Sequence, residues 1–274
     1  VEGPARRPGL FVTSGALLGS VHKDLHCVDC HQDAARLPHA ASLNRATCAT
    51  ACHEKAARAY EGGAHRAALD RKDPLAPTCA SCHGGHDILK ASDRRAPQNK
   101  LNSLHLCGDC HQKHAPSGSE SDPAAHITSY LGSTHAKAIA KSGLPMAATC
   151  ADCHTAHGVL AAREPASTVN RANIPQTCGK CHVGVAEQYA LSVHGVKQAA
   201  GNTKAAVCTD CHTAHGVINT SSEKFKLGNV ETCGNCHKER LATYGDTYHG
   251  QVNRLGYAYT AKCADCHGSH GVLP

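Results

Sequence analysis

Every cysteine in this sequence of 274 residues belongs to a closely spaced pair, and each pair is followed directly by a histidine. The 18 cysteines therefore make nine segments, which we number sites 1 to 9 along the chain. Eight of them have two residues between the cysteines, and site 2, CATACH, has three. In chain order the residues of the nine sites are Cys27, Cys30 and His31; Cys48, Cys52 and His53; Cys79, Cys82 and His83; Cys107, Cys110 and His111; Cys150, Cys153 and His154; Cys178, Cys181 and His182; Cys208, Cys211 and His212; Cys233, Cys236 and His237; Cys263, Cys266 and His267.

This pattern is typical of attachment sites for c-type haem. In a C-x-x-C-H segment two thiols bond to the edge of a haem, and the adjacent histidine becomes the proximal ligand of the iron. A disulfide framework would explain the even number of cysteines but not the nine histidines that follow them. Zinc knuckles would have to converge in pairs, and nine is odd, while a thioredoxin-type motif expects one C-x-x-C in a βαβ context. The sequence therefore predicts nine covalently bound haem c groups, with site 2 the least regular.

The composition leaves little material for an ordinary protein core. The chain has no tryptophan and only two phenylalanines, Phe11 and Phe225. Since a protein of 28.6 kDa normally buries a large apolar interior, bound haems would have to fill that volume. No long stretch shows clean helical or strand periodicity. We therefore expect a single multihaem domain over residues 1–274, mostly irregular with short α-helices packed on haem, and with very little β structure.

A repeated pair of sites organises the chain. A first-type site (sites 2, 4, 6 and 8) is followed by Tyr-x4-His and then by a second-type site (sites 3, 5, 7 and 9) that continues as C-H-x-x-H. The tyrosines, for which we expect packing against a porphyrin face, are Tyr60, Tyr130, Tyr189 and Tyr244. The repeats cover approximately residues 20–47 (partial), 48–90, 107–160, 178–218 and 233–274.

Fourteen histidines remain beside the nine proximal ones, and two sets of them occupy repeated positions. Neutral imidazole is the usual nitrogen ligand of iron, so nine distal histidines would make every iron six-coordinate. The first set comes from the Tyr-x4-His segments and one degenerate copy, and consists of His22, His65, His135, His194 and His249. The second set comes from the C-H-x-x-H segments and consists of His86, His157, His215 and His270.

The second set raises a geometric question. On a helix, His157 would lie beside His154 and could not reach the far side of the same haem, so it would ligate a neighbouring one. Two arrangements stay open. Each such histidine could serve the haem before it, with His270 serving site 8. Alternatively each serves the haem after it, in which case His39 serves site 2 and His270 is left for a haem in another subunit.

Five histidines stand outside the repeated positions. His39 is kept as a candidate iron ligand for the reason just given. For the other four a surface position or a contact with a haem propionate is the simpler interpretation; they are His26, His105, His114 and His126.

The charge pattern does not indicate a nucleic-acid-binding protein. The formal net charge is +6, but lysine and arginine are dispersed with little aromatic interleaving, and nine haems would add roughly 18 propionate charges. The apolar stretch from Gly9 to Gly19 is too short to span a bilayer, so we expect no transmembrane segment. The chain begins Val1-Glu2-Gly3, as a mature form would after signal-peptide removal.

These features resemble the bis-histidine multihaem cytochromes of anaerobic respiring bacteria and archaea. The resemblance runs from His22 to His270 and rests on the nine sites and on segments such as SVHG at 192–195 and CTDCHTAHG at 208–216. It implies electron transfer between closely paired haems, at an extracellular or cell-surface location or else in the periplasm. The implied partners are other redox proteins or extracellular electron acceptors. Some such proteins polymerise into conductive filaments, and we expect a homopolymer here.

A multihaem reductase is the main alternative. Such an enzyme needs an iron with an open distal position, and families with this chemistry often carry an altered proximal ligand, as in a CxxCK segment. No such segment occurs here, and the remaining histidines outnumber the haems. We therefore expect no enzyme activity; if one iron were open, the irregular site 2 would be the first suspect. A third alternative is a protein that only stores haem, but such a protein would not need its attachment sites arranged in pairs.

Overall fold

Short helices joined by irregular segments make up the fold. The computed structural model describes residues 12–40, 42–49, 52–113 and 122–273. About half of the chain is helical, and no strand occurs in these ranges. The expected fold class, mostly irregular with short α-helices, is therefore confirmed. No helix in the same ranges is long and apolar enough to cross a membrane. His114 and the start of the stretch from Gly9 lie outside the described residues.

Seventeen α-helices occur in the described ranges, and the longest has 12 residues. Three 3-10 helices lie at Gln32–Ala34, Lys100–Asn102 and Arg171–Asn173. In chain order the α-helices are α1 (Ser14–Leu18), α2 (Cys27–Cys30), α3 (Glu54–Glu61), α4 (Ala64–Asp70), α5 (Cys79–His83), α6 (Ser103–His111), α7 (Pro123–Leu131), α8 (Thr134–Ser142), α9 (Cys150–His154), α10 (Ile174–Gly179), α11 (Val183–Leu191), α12 (Val193–Ala199), α13 (Cys208–His212), α14 (Glu223–Gly234), α15 (Lys238–Gly245), α16 (Tyr248–Arg254) and α17 (Cys263–His267).

Contacts between residues divide the chain into two compact units. The first consists of residues 1–116 together with 155–159, and the second of residues 117–154 together with 160–274. Sites 1 to 4 belong to the first unit and sites 5 to 9 to the second. The expectation of one domain over the whole chain stays a prediction.

The side chains of the described residues form very little apolar core. Seven apolar residues are buried, none of them aromatic: Ala96, Ala136, Ile174, Ala205, Val207, Val230 and Ala258. Four of the seven are alanines, whose side chains contribute almost no volume. Hydrophobic packing of this size would not stabilise a chain of 274 residues. Large bound apolar groups would have to provide the packing that these side chains do not.

Each second-type site begins a short helix that its own sequence caps. At site 7 the backbone N–H of Val207 donates to the Asp210 carboxylate at 2.7 Å, which satisfies a donor that the first helical turn leaves free. Sites 5 and 9 repeat this bond with Asp152 and Asp265 at 2.7 Å, and site 3 has Ser81 at 3.0 Å. The second residue between the cysteines is thus a capping residue, which explains why it is so often aspartate in this chain.

Each of these helices ends at its proximal histidine because the next residue has a positive φ. The angles are 83° at Gly84, 67° at Thr155, 62° at Thr213 and 77° at Gly268. Glycine adopts such angles freely, whereas threonine adopts them only under strain, and strain of this kind concentrates at functional sites. The premise that His157 follows His154 on one helix is therefore wrong. The chain turns at Thr155 and carries His157 away from site 5.

The Tyr-x4-His segments form helical hairpins. In each hairpin the tyrosine lies near the end of the first helix and the histidine is the second residue of the next helix. The tyrosine hydroxyl donates to a backbone carbonyl two residues before the following second-type site. These bonds join Tyr60 to Pro77 at 2.7 Å, Tyr130 to Ala148 at 2.8 Å, Tyr189 to Ala206 at 2.9 Å and Tyr244 to Ala261 at 2.8 Å. Each repeat thus ties its hairpin to its own second-type site.

A further hydrogen bond joins consecutive repeats, and we call it the junction bond. At four of the five first-set histidines, the residue before the histidine donates its N–H to the carbonyl two residues after a second-set histidine. In the first unit these bonds join Val21 to Ile88 and Ala64 to Val159; in the second they join Thr134 to Val217 and Val193 to Val272, all at 2.7 to 2.8 Å. Neighbouring repeats within a unit are therefore in a fixed register.

We expect Tyr189→Phe to lower the apparent melting temperature of the holoprotein by about 2–4 °C. The change removes the bond to Ala206, and a hydrogen bond of this kind contributes about 0.5–1.5 kcal/mol. Tyr257→Phe is the matched control, because Tyr257 is 56% exposed and its hydroxyl forms no hydrogen bond with the described residues. Equal shifts for both variants in a thermal melt would contradict the role of the Tyr189 bond.

Candidate haem-binding sites

The structure places eight of the nine proximal histidines opposite a second imidazole. The ring centres of each pair are 5.9 to 6.3 Å apart. In the first unit the pairs are His31 with His86, His53 with His22, His83 with His157, and His111 with His65. In the second unit they are His154 with His215, His182 with His135, His212 with His270, and His237 with His194.

This separation fits two imidazoles on opposite sides of one iron. A metal–nitrogen bond to histidine is about 2 Å long, and the ring centre lies about 1 Å beyond the nitrogen, so opposed ligands have centres about 6 Å apart. Rings in direct stacking contact would lie closer, as His126 and His215 do at 4.4 Å. The paired side chains, together with the exposed or half-exposed cysteines of the nine sites, are therefore suited to hold haem.

The pairs follow one rule throughout both units. A first-set histidine faces the first-type site of the next repeat, as His194 faces His237. A second-set histidine faces the second-type site of the preceding repeat, as His270 faces His212, and His86 faces site 1 of the partial first repeat in the same way. Both arrangements left open by the sequence are wrong. One placed His270 at site 8 and the other left it without a partner in its own chain, whereas His270 faces His212 of site 7. His22 and not His39 faces site 2.

Besides His39, two histidines that the sequence nominated as ligands have no opposed ring among the described residues. One is the proximal His267 of site 9, and the other is His249 of the first set. The His249 ring is held by a contact of 3.2 Å between its Nδ1 and the Thr260 hydroxyl, and it touches Tyr248. By the pairing rule, site 9 would need a second-set histidine from a following repeat, and His249 would need a first-type site there.

None of the remaining described histidines faces the ring of a proximal histidine. His39 is exposed, with Nδ1 3.0 Å from the Ala40 carbonyl oxygen. His26 is exposed and lies 3.5 Å from Asp29, and His105 is exposed in α6. His126 stacks on His215 from beside the site 5 pair. That contact had no signal in the sequence, because His126 belongs to no repeated position.

Burial lowers the pKa of several of the paired imidazoles and so favours their neutral form. Burial lowers the pKa of His65, and the neighbouring His111 lowers it further. The same two causes, burial first and then the opposed ring, lower the pKa of His83, His135, His194 and His212. The pKa of His215 falls to about 4 through burial, His126 and His154. A neutral imidazole keeps the nitrogen lone pair that binds iron.

Cysteines of consecutive sites are neighbours within each unit. Burial raises the pKa of the Cys48 thiol, and so do its hydrogen bond with Cys79 and the nearby Cys30. The neighbouring Cys208 raises the pKa of the Cys178 thiol, and the neighbouring Cys263, after burial, raises that of Cys233. Nearby thiols of the next site also raise pKa values, after burial, at Cys82 (by Cys110), Cys153 (by Cys181) and Cys211 (by Cys236). The sites therefore follow one another in space as they do in sequence, from 1 to 4 in one unit and from 5 to 9 in the other.

We expect His135→Ala to convert one low-spin iron of the holoprotein to high spin. The variant removes the imidazole opposite His182, which leaves that iron open to water. Electron paramagnetic resonance on the oxidised protein measures the change, and added imidazole should reverse it. His105→Ala is the control, since the exposed His105 faces no proximal histidine. An equal increase of the high-spin signal over that of the parent chain in the control would contradict the assignment.

Comparison with known protein families gives one match. A model described as a doubled CXXCH motif matches residues 144–187, which contain sites 5 and 6. No curated protein and no solved structure matches the chain. The doubled motif indicates a multihaem c-type cytochrome, and the 18 cysteines fit many haem sites.

Proposed function

We propose that the chain conducts electrons through nine covalently bound c-type haems. The observation that carries this proposal is the order of the attachment sites within each unit. Cysteines of consecutive sites, such as Cys178 and Cys208, are close enough for one thiol to change the pKa of the other. Thioether bonds to such cysteines would bring the edges of successive porphyrins together. A haem supplies a centre that gains and loses one electron without rearranging the protein around it.

The protein would contribute attachment, axial ligands and environment. Both cysteines of each site would hold the porphyrin, and the adjacent histidine would be the proximal ligand. We assign the opposed histidines of the eight pairs as distal ligands. Because each distal histidine comes from another repeat, binding of haem would fasten neighbouring repeats within a unit to one another. An iron held between two imidazoles has no position for a substrate, which favours electron transfer over bond chemistry.

This arrangement argues against a reductase at site 2. The irregular CATACH segment was the first suspect for an open iron, yet the His22 ring lies 5.9 Å from the His53 ring. With both imidazoles bound, that iron would have no free position. We therefore propose electron transfer, and not a reductase reaction, at site 2.

The proposed location follows from where the cell attaches haem covalently to protein. Haem is attached to C-x-x-C-H segments there in bacteria and archaea, so we propose an extracytoplasmic protein that is extracellular or on the cell surface, or else periplasmic. The propionates of nine haems would make its surface more acidic than the formal charge of +6 suggests. Its partners would be other redox proteins or extracellular acceptors.

We expect the intact mass of the purified chain to exceed its polypeptide mass of 28.6 kDa by nine haem groups. Replacing Cys48 and Cys52 by alanine should remove one group, because both thioether bonds of site 2 would be lost. The pyridine haemochrome spectrum provides an independent count for both proteins. Eight groups in the parent chain, unchanged in the double variant, would show that the irregular site 2 carries no haem.

A homopolymer, and with it a conductive filament, is a finer hypothesis that rests on the resemblance to filament-forming cytochromes. If it holds, electron microscopy of native material should show filaments, and light scattering should give masses that increase with concentration. Chains that stay monomeric under these conditions would contradict the filament and leave electron transfer by single chains intact.

A further inference from the structure

A third imidazole lies beside the ligand pair of site 5. The His126 ring stacks on the His215 ring, with centres 4.4 Å apart and planes inclined by 28°. His215 in turn faces the proximal His154, and their planes are inclined by only 5°, the smallest angle among the eight pairs. Among the distal histidines of the described ranges, His215 alone stacks on a ring from outside its pair. The distal ligand of site 5 therefore has an aromatic neighbour of its own.

Helix α7 holds His126 in this position through contacts with both segments that form site 5. The Tyr130 hydroxyl donates to the Ala148 carbonyl at 2.8 Å, just before the first cysteine of the site. Ser129 lies on the same face of the helix as His126 and packs against Gly216, where a Cβ atom would be 2.6 Å from the Ser129 Oγ. The junction bond of the same hairpin fixes this second segment further. The position of the His126 ring relative to site 5 is therefore set by the fold.

The hairpin itself does not need a ring at this position. The position lies four residues before each tyrosine, and the other hairpins have Ala56, Val185 and Arg240 there. All four hairpins nevertheless form the tyrosine bond. Helix α3 also packs on its own second-set segment, where the Ala59 Cβ is 3.7 Å from the place of a Cβ at Gly158. The imidazole at this position of α7 is therefore available for a role toward the ligand that it touches.

Stacking restricts a rotation that an axial imidazole otherwise keeps. The torsion between the Cβ atom and the ring of a histidine has broad minima, so a distal ring can turn unless a neighbour blocks it. A ring stacked on its face blocks this rotation and adds an attractive contact. Groups beyond the direct ligands commonly orient the ligands of a metal and strengthen its binding. Phe225 stacks on His212 of site 7 at 5.4 Å and 9°, which shows that a ring without nitrogen has the same relation to a ligand there.

We propose that His126 is a positioning residue of site 5, which holds the His215 ring in the orientation in which it binds iron. This proposal rests on the proposed haem function. His126 acts through His215, because the ring that faces His154 is that of His215. The contact makes the distal bond of site 5 harder to break and so keeps this iron closed to other ligands. This role differs from the surface position or propionate contact that the sequence suggested for His126.

Cyanide exchange on the oxidised holoprotein measures how firmly His215 is held. At site 5 the carbon lone pair of cyanide forms a bond to iron while the bond between iron and His215 breaks, and no electron is transferred. His126→Ala should accelerate the reaction of one haem in nine about 2- to 10-fold, as expected for the loss of an aromatic contact. His126→Phe keeps a ring but has no nitrogen that could bind iron or form a hydrogen bond, and it should react like the parent chain.

Two further variants test whether the effect passes through His215. Arg240→Ala truncates the equivalent residue of α15, which is exposed and contacts no ring among the described residues, so it should leave the exchange unchanged. His215→Ala should open site 5 and add one high-spin iron to the parent spectrum. Adding His126→Ala to that variant should not change the rate of cyanide binding, because the contact with His215 is already lost.

Electron paramagnetic resonance gives a readout that does not depend on exchange. The orientation of the two axial imidazole planes sets the shape of the low-spin signal of a ferric haem. His126→Ala should therefore keep site 5 low-spin but shift or broaden the signal of one haem, and His126→Phe should restore the parent signal.

Several results would overturn this proposal while leaving the proposed haem function intact. A new high-spin iron in His126→Ala would identify His126 itself as the ligand. Equal effects of the alanine and phenylalanine variants would show that the nitrogens of His126 act, and not its stacked ring. Unchanged exchange and an unchanged low-spin signal in His126→Ala would show that the stack has no effect on site 5. Equal acceleration by His126→Ala with and without His215 would show that His126 only shields the iron. Failure of the haem function itself would appear in the intact mass, as a missing haem.

Discussion

Opposed imidazoles drawn from different repeats are the constraint on which the rest of this structure depends. A repeat cannot complete either of its own sites, because its two spare histidines point to the repeats before and after it. His194 and His237 illustrate this, being 43 positions apart in sequence and 6.2 Å apart between ring centres. The alanine-rich core could not impose such a register. Junction bonds and opposed rings do so instead, and bound iron would fix it.

The residues around each second-type site position its two histidines for pairing with histidines of neighbouring repeats. A capping aspartate such as Asp210 begins the attachment helix, and a residue of positive φ such as Thr213 ends it at the proximal histidine. The turn sends the second histidine of C-H-x-x-H into the neighbouring repeat and not onto the same helix. Threonine is strained in this conformation, and this strain occurs at two sites, at Thr155 and Thr213. The turn is therefore part of how the repeats are joined.

Much of the candidate site could be predicted from the sequence, and the parts that could not have a physical cause. The nine attachment segments and the repeated histidines are local patterns that need no tertiary information. The prediction for His157 failed at one step, since it assumed a helix that in fact ends at His154. The glycines that follow His83 and His267 could have signalled this turn. The assignment of partners failed because sequence spacing does not tell which of two neighbouring repeats a side chain reaches.

What the sequence determined by itself is the chemistry: cysteine pairs with an adjacent histidine, repeated spare imidazoles, and too few bulky side chains to form a core without bound groups. A short motif suffices for this, because attachment and capping involve residues within one helical turn. Only the tertiary structure decided which imidazole faces which, in what order the sites follow one another within a unit, and that His249 and His267 are left exposed. Those facts depend on distances between repeats, which are set by backbone turns and hydrogen bonds between segments far apart in the chain.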